Sequence, residues 1–496
     1  MSLFTHFRNY ATGGLFSALI GVASFPILTR SLSVEDYGLL GLIVSSLTLF
    51  VAFGKFGVQH SIVRFYAQVK NGNSEYSESQ FYSTTLMLAA ALGCLTMAVW
   101  LLTGLQIVPS FIPSEKLPAL FLIGTLYILL RMLGSSMCNV LSAKQLSQPV
   151  MMSTIVRRSV HLVMILLFLL TNLVSAGAVI ASFVLSELLS VIYVARYYRR
   201  QTSFSLSGFS TSLSRTLFIF GFPLMLLESN GLLMRLSDRY IIQYLMDDKA
   251  LGQYAASYNF SLYIEIIITS ALVTAIRPMY TQIWESKGEA YTSEFLARGL
   301  NLYLLLGIPF VALFSLTAPH VINILASTKY EAGTVIVPWV TAAILFDGAI
   351  VFLAAGLYIH RKTRNLLIWG AAALVTNIVL NFLVIPHFGI LGASVVTLIT
   401  FMVYSLGIAS SSRRLLRFEI STKKPLIMAL ASIIVWLILN KIPLSSDISA
   451  IAAKGTAGLL VLGTVALLLD VSVREFVDRG TRRFMPAMFG KPEAGN

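Results

Sequence analysis

Charge is scarce in this sequence. Only 12% of its 496 residues are Asp, Glu, Lys or Arg while 56% are hydrophobic, against about 25% charged in an average soluble chain. A water-soluble fold has nowhere to bury that much apolar surface, so a soluble globular protein is excluded. Cysteine is nearly absent: Cys94 and Cys138 are the only two, and both sit in apolar runs. That removes a disulfide framework and a metal-thiolate site, and leaves them as small hydrophobes. There is no HExxH, no cluster of His with Cys, and no loop long enough for a glycosyltransferase domain, which argues against an enzyme. Nor is there a GxxxxGK[ST] phosphate loop or a soluble domain to hydrolyse nucleotide, so any transport is secondary and no cofactor is expected. Acids are outnumbered, 22 to 36 basic residues, for a net charge of +14. Nucleic acid would require those bases on one polar surface; here they punctuate apolar runs instead.

What is present is a succession of apolar segments. A helix crossing the hydrocarbon takes about 20 such residues, which predicts an all-α polytopic membrane protein of about fourteen spans. Six lie near 10–28, 37–57, 81–105, 117–141, 150–170 and 176–196. Six more lie near 215–236, 255–277, 298–318, 335–358, 366–385 and 390–411, and a last pair near 425–442 and 448–470. The first run ends in Phe25-Pro26-Ile27-Leu28-Thr29-Arg30, with no small-x-small cleavage pattern, and reads as a retained span rather than a signal peptide.

Basic residues near span ends stay on the cytoplasmic side. One set of connections holds Arg196, Arg199, Arg200 and Arg215, then Arg361, Lys362 and Arg364. It continues with Arg413, Arg414, Arg417, Lys423 and Lys424, and then Arg474, Arg479, Arg482, Arg483 and Lys491. Roughly 26 bases fall on that face and roughly 8 on the other, which predicts that both termini are cytoplasmic.

A repeat is visible. Leu32-Ser-Val-Glu-Asp-Tyr-Gly38 precedes the second span and Val63-Arg64-Phe-Tyr66-Ala-Gln68 follows it. Leu245-Met-Asp-Asp-Lys-Ala-Leu-Gly252 and Ile276-Arg277-Pro-Met-Tyr280-Thr-Gln282 bracket the eighth, with the same leucine-to-arginine spacing, so the chain reads as a duplication. Six spans is an even number, so the copies enter the membrane from the same side as parallel lobes. The expected organisation is an N-lobe at 1–205, a C-lobe at 206–411, and at 412–496 two further helices with a basic tail. Two such lobes can rock about a central cavity.

Ionisable residues inside spans cost at least about 2.5–3.5 kcal/mol each at mid-bilayer and mark cavities or partners. Arg131 lies near the middle of the fourth span, where it lines a cavity or joins an intramembrane ion pair. Lys55, Arg30, Arg235 and Arg239 lie nearer span ends; they bind an anionic head group or snorkel to the interface. A diphosphate entering a cavity requires such cations. Four acids, Glu187, Glu228, Glu265 and Asp347, are ion-coupling sites cycling protons or sodium, or structural partners of buried arginines. Asp238 beside Arg239 reads as an ion pair, and His161 as a packing residue. Pro26, Pro223 and Pro309 break helical hydrogen bonds at bending or static kinks.

The first seventy positions, with Thr29-Arg30 closing span one, Leu32-Ser-Val-Glu-Asp-Tyr-Gly38 opening span two and Val63-Arg64-Phe-Tyr closing it, resemble the polysaccharide transporter branch of the multidrug/oligosaccharidyl-lipid/polysaccharide (MOP) exporter superfamily. Gly221-Phe-Pro223, Ser237-Asp-Arg239-Tyr and Ile276-Arg277-Pro278 resemble its second-lobe landmarks. The resemblance implies a MOP/MATE-like fold and a Wzx-type flippase in the bacterial inner membrane. Such a protein turns an undecaprenyl-diphosphate-linked oligosaccharide from the cytoplasmic to the periplasmic leaflet, where a polymerase and chain-length machinery act. Two rivals stay open: a cation-coupled drug antiporter, which the four acids favour, and a membrane scaffold without transport.

Overall fold

The computed structural model describes residues 3–112, 114–265, 270–419 and 421–470; the tail bases from Arg474 to Lys491 lie outside them. All regular structure among the described residues is helical. The chain runs α1 (Leu3–Ser31), α2 (Val34–Gly54), α3 (Val58–Lys70), α4 (Glu78–Leu102), a π-helical turn (Thr103–Ile107), α5 (Val108–Phe111), α6 (Leu117–Ala143), α7 (Ser147–Leu170) and α8 (Ala176–Gln201). It continues through α9 (Thr211–Leu245), α10 (Asp248–Ile264), α11 (Ser270–Lys287), α12 (Glu289–Leu325), a 3₁₀ segment (Thr328–Ile336), α13 (Val337–Leu353), α14 (Ala355–Ile359), α15 (Arg364–Ser412), α16 (Lys423–Asn440) and α17 (Asp447–Leu469).

Among the described residues, 12 helices are long and apolar enough to cross a membrane, where about fourteen spans are expected. Two of the expected spans, 366–385 and 390–411, are joined in the 49-residue α15, which kinks at Gly389 (φ 55°). A third, 255–277, includes residues 266–269, which lie outside the described set.

Several helices start where the sequence supplies a cap. Ser33 accepts from the Asp36 backbone N–H at 3.0 Å, and Glu35 and Asp36 occupy the first turn of α2, where acids complement the helix dipole. In the second copy of the motif Asp247 does the same for α10, its Oδ1 accepting from the Ala250 N–H at 2.7 Å. The repeat is thus, physically, a helix start used twice. Ser77 and Gln80 form a capping box at α4, and Ser446 and Ser449 another at α17.

The chain forms two compact units. The first comprises Met1–Ala256, Leu325–Gly333 and Gly370–Ala393. Within it α6 packs on α4 and α8, α7 on α1 and α8, and α9 on α2 and α3. The second comprises Ser257–Ile324, Thr334–Trp369 and Ser394–Asn496. There α16 and α17 pack on α12 through Leu305, Met428, Val435, Leu462 and Ala466. Polar contacts close this zipper at both ends. At one, His320 Nδ1 lies 2.7 Å from Asp447 Oδ1, and the buried Lys454 Nζ lies 3.4 Å from His320 Nε2. At the other, Asp470 accepts from Asn301 at 3.0 Å and from Lys424 at 2.6 Å.

Candidate functional site: a cationic cluster in the first unit

The helix of the second span ends at Gly54, three residues short of the expected bound at Gly57. Helix α2 stops at Gly54, Phe56 (φ 47°) and Gly57 (φ 74°) take left-handed backbone, and the chain resumes as α3 to Lys70. Lys55 therefore stands at the end of this span, where the chain breaks between two helices. No proline makes this break; close backbone packing does. A Cβ at Gly57 would lie 1.9 Å from the Gly221 carbonyl oxygen of α9, and one at Gly54 would lie 2.2 Å from Thr96 Oγ1 of α4. Ser61 donates to the Leu217 carbonyl at 2.6 Å, and Phe56 packs edge-on to Phe218. The break is wedged between α4 and α9, and Lys55 is turned toward α6. There it shares a cavity of about 20 Å³ with Gln59, Ser135, Ser136 and Asn139, which is room for about one water among polar partners.

Three further helices bring charge to the same region. Arg131 of α6 reaches Glu187 Oε1 of α8 at 3.4 Å, and Arg157 of α7 reaches Glu187 Oε2 at 3.6 Å. Glu187 is sealed, at 1% exposure, whereas the Arg131 and Arg157 side chains keep 30% and 21% of theirs. One buried carboxylate thus holds two guanidiniums from behind while their outer faces stay open. Arg158, next on α7, adds a third guanidinium to this field, and its Nε has no hydrogen bond among the described residues. Lys55 lies in the field of Arg131, Arg157, Glu187 and Glu228. Glu228 itself accepts from Gln59 at 2.7 Å and contacts His60 Nε2 at 3.1 Å. Four cations face two carboxylates, a surplus that attracts a multivalent anion in a low-dielectric setting.

Glu187 behaves in this geometry as a counter-ion. Glu187→Gln leaves two arginines without their partner and should cost about 3–5 kcal/mol of stability, read as a lowered unfolding midpoint in detergent. A variant of unchanged midpoint that loses dependence on an ion gradient would instead make Glu187 an ion-coupling acid.

A second polar group lies on α9. Asp238 accepts from the Tyr254 hydroxyl at 2.7 Å and from Asn381 at 3.1 Å, and Ser237 donates to Asn377 at 2.8 Å. Arg239 donates to Ser45 Oγ at 2.8 Å and to the Gly41 carbonyl at 3.4 Å on α2. Beside them the two copies of the repeat meet: a Cβ at Gly252 would lie 1.9 Å from the Val34 carbonyl, and one at Gly38 would lie 2.6 Å from the Asp248 carbonyl. Only glycine permits α2 and α10 to approach so closely. Gly252→Val should prevent this contact. The expected result is a folded protein in which cysteines placed at positions 34 and 248 no longer cross-link; cross-linking at the wild-type rate would refute it. Arg30 Nε donates to the Leu325 carbonyl at 3.2 Å, and Lys329 Nζ to the Leu32 carbonyl at 2.6 Å, tying the 3₁₀ segment to the same end of α2. Nearby, Lys116 Nζ donates to Asp36 at 2.7 Å, and that bond raises the Lys116 pKa above the ordinary lysine value.

Known proteins agree with this architecture. Residues 8–284 match the family described as polysaccharide biosynthesis protein. The chain belongs to that family. This polysaccharide biosynthesis protein is 26% identical over 427 residues to a protein of the Lsg locus of Haemophilus influenzae, covering 81% of this chain and 98% of that relative. In fold it is similar to the lipid II flippase MurJ in an inward closed conformation, with a TM-score of 0.75 at 14% identity over 94% of this chain and 99% of that one. An inward-facing MATE family transporter of the MOP superfamily follows, with a TM-score of 0.68 at 12% identity over 80% and 94% of the two chains. The expected MOP/MATE-like fold is therefore present.

Of the residues singled out from sequence, this family member brings Arg131, Lys55, Glu187 and Glu228 into the first unit's cluster or its field. Arg30 lies in the last turn of α1, Arg239 on α9 reaches α2, and Arg235 is half-buried on α9 with a partner of its own. Glu265 and Asp347 belong to the second unit, and each has a partner. His161 packs as expected: its ring stacks on Phe183 at 4.2 Å and Nδ1 meets Ser182 Oγ at 2.8 Å. Arg157 and Arg158 were not among the expected site residues. Their signal was available, since two adjacent arginines stand seven residues into the apolar run at 150–170.

Proposed function

We propose that this membrane protein is a flippase that moves an undecaprenyl-diphosphate-linked oligosaccharide from the cytoplasmic to the periplasmic leaflet, for synthesis of a surface polysaccharide. The observation that carries the reading is the surplus of cations at Arg131, Arg157 and Arg158 within candidate membrane-spanning helices and at Lys55 at the end of another. A diphosphate leaving water requires such compensation, and membership of a polysaccharide biosynthesis family supplies the sugar. In this mechanism the two lobes of the repeat rock about the head group and open to each leaflet in turn. The open faces of Arg131 and Arg157 take the diphosphate oxygens, Glu187 holds both arginines in place, and no covalent step occurs. The inner membrane, cytoplasmic termini and handover to a polymerase and chain-length machinery belong to the same proposal.

The test is deletion of the gene, which should accumulate lipid-linked repeat units on the cytoplasmic side; normal translocation would overturn the reading. A second reading, a cation-coupled antiporter, is favoured by the part-exposed Glu228 carboxylate beside His60. In proteoliposomes the flippase moves lipid-linked sugar, with a proton or sodium gradient altering the rate if Glu228, Glu265 or Asp347 couples it. Gradient-driven efflux of a cationic drug without sugar movement would favour the antiporter.

A further inference from the structure

We propose that the second unit carries a binding site for the phosphodiester head group of a membrane phospholipid, built from residues that the translocation mechanism does not use. A cavity of about 830 Å³ opens between the start of α12 and the segment that follows α15, within the range of about 300–1,000 Å³ usual for small-molecule sites. Arg413, Arg414 and Arg417 line one wall, and Ser293 and Glu294 of α12 the other.

The arginine wall is held in shape. Leu416 and Phe418 are buried, at 0% and 7% exposure. The backbone turns tightly, with Leu415 and Leu416 N–H groups both donating to the Ser412 carbonyl at 2.9 Å. Ser412 Oγ accepts from the Gly356 N–H at 3.1 Å. Leu416 and Phe418 therefore anchor the segment, while the three guanidiniums stay exposed, with no hydrogen bond or ion pair to protein among the described residues. Retention of bases near span ends explains why arginines occur here. It does not explain a fixed turn that aims three of them into one concavity.

The location suits a lipid. The apolar part of α12 begins just beyond Arg298, α15 ends at Ser412, and α16 begins at Lys423, so the cavity sits where three membrane helices meet the interface. Basic pockets of this kind accept anionic head groups, and arginine forks match phosphate oxygens. The acids in the wall narrow the choice. Glu294 is paired with Arg298 at 2.5 Å, whereas Glu419 also lines the cavity. A lone carboxylate penalises a phosphate dianion more than a singly charged phosphodiester.

The full-length protein is to be extracted from vesicles of phosphatidylcholine containing either phosphatidylglycerol or phosphatidylethanolamine, and retained lipid counted by native mass spectrometry. Wild type should retain phospholipid, with Arg413→Gln/Arg414→Gln/Arg417→Gln at least about tenfold weaker in retention, a 1.4 kcal/mol difference. The corresponding triple lysine variant should lie between them, and Arg417→Gln alone, which leaves two arginines in the wall and the Leu416 and Phe418 anchors untouched, should show a partial loss. Equal retention by wild type and the glutamine variants overturns the proposal. So does stabilisation by inorganic phosphate with no phospholipid retained, which would assign the cavity to a soluble anion. The measurement does not involve translocation, so failure here and failure of the flippase reading are separable.

Discussion

Arg131→Ala should slow translocation of lipid-linked sugar by about ten- to a hundredfold at equal protein level, since a hydrogen bond to a charged group contributes about 1.5–3 kcal/mol. The variant keeps Arg157 against Glu187, so the carboxylate retains one partner at 3.6 Å and the fold should survive. Arg131→Lys keeps the charge but loses the fork that addresses two oxygens at once, and an intermediate rate is expected. The readout is flux in proteoliposomes, with the unfolding midpoint as control. Wild-type flux in the alanine variant would remove Arg131 from the substrate path. A large fall in midpoint for both variants would make its role structural. The same measurement on Arg157→Ala separates the two guanidiniums, which the geometry makes near equals across one carboxylate.

Gly57→Ala also has a large expected effect on stability. An L-residue in the left-handed region costs about 1–2 kcal/mol, and at Gly57 (φ 74°) the new methyl would also meet the Gly221 carbonyl oxygen at 1.9 Å. That partner is backbone on a long helix, so relief requires α9 to move away from the break, at an overpacking cost of about 1–3 kcal/mol. The sum, about 2–5 kcal/mol, should appear as reduced protein in membranes and a lowered unfolding midpoint. Gly72→Ala, also at positive φ (70°) but with nothing within 4 Å, is the control for backbone strain alone. Similar losses in the two variants would show that the contact with Gly221 contributes nothing.

The spans were legible because long apolar runs are a property of composition, which requires no knowledge of neighbours. The repeat was legible for a similar reason, as each copy carries its own cap, Ser33 in one and Asp247 in the other. The break at Phe56-Gly57 was not. It arises from the approach of Gly221, far along the chain, and the fall in hydropathy at Gln59, His60 and Arg64 marks where the span ends but not the left-handed turn that follows it. Arg131 stood out as a charge deep in an apolar run, yet its partner Glu187 lies two helices later, and nothing in either local sequence joins them. Arg157 and Arg158 stand in the same apolar run as His161, and nothing in that run marks what they face. Only the packing of α7 on α8 turns Arg157 toward the carboxylate that Arg131 also uses. The kink at Gly389, where non-helical backbone separates the two expected spans of α15, likewise depends on a backbone state that composition does not express.

The two polar closures of the α12 zipper have a consequence for the host bilayer. From Asn301 to His320 the helix rises about 28 Å at about 1.5 Å per residue, close to the hydrocarbon thickness of about 30 Å. Asp470, paired with Lys424 of α16, at one end, and Asp447 and Lys454 at the other, hold α17 to that same length. The carboxyl-terminal helices therefore act as a gauge. A membrane several ångströms thicker would draw one closure into oil, and the protein should accumulate in, and work best within, a bilayer whose thickness matches the span between them.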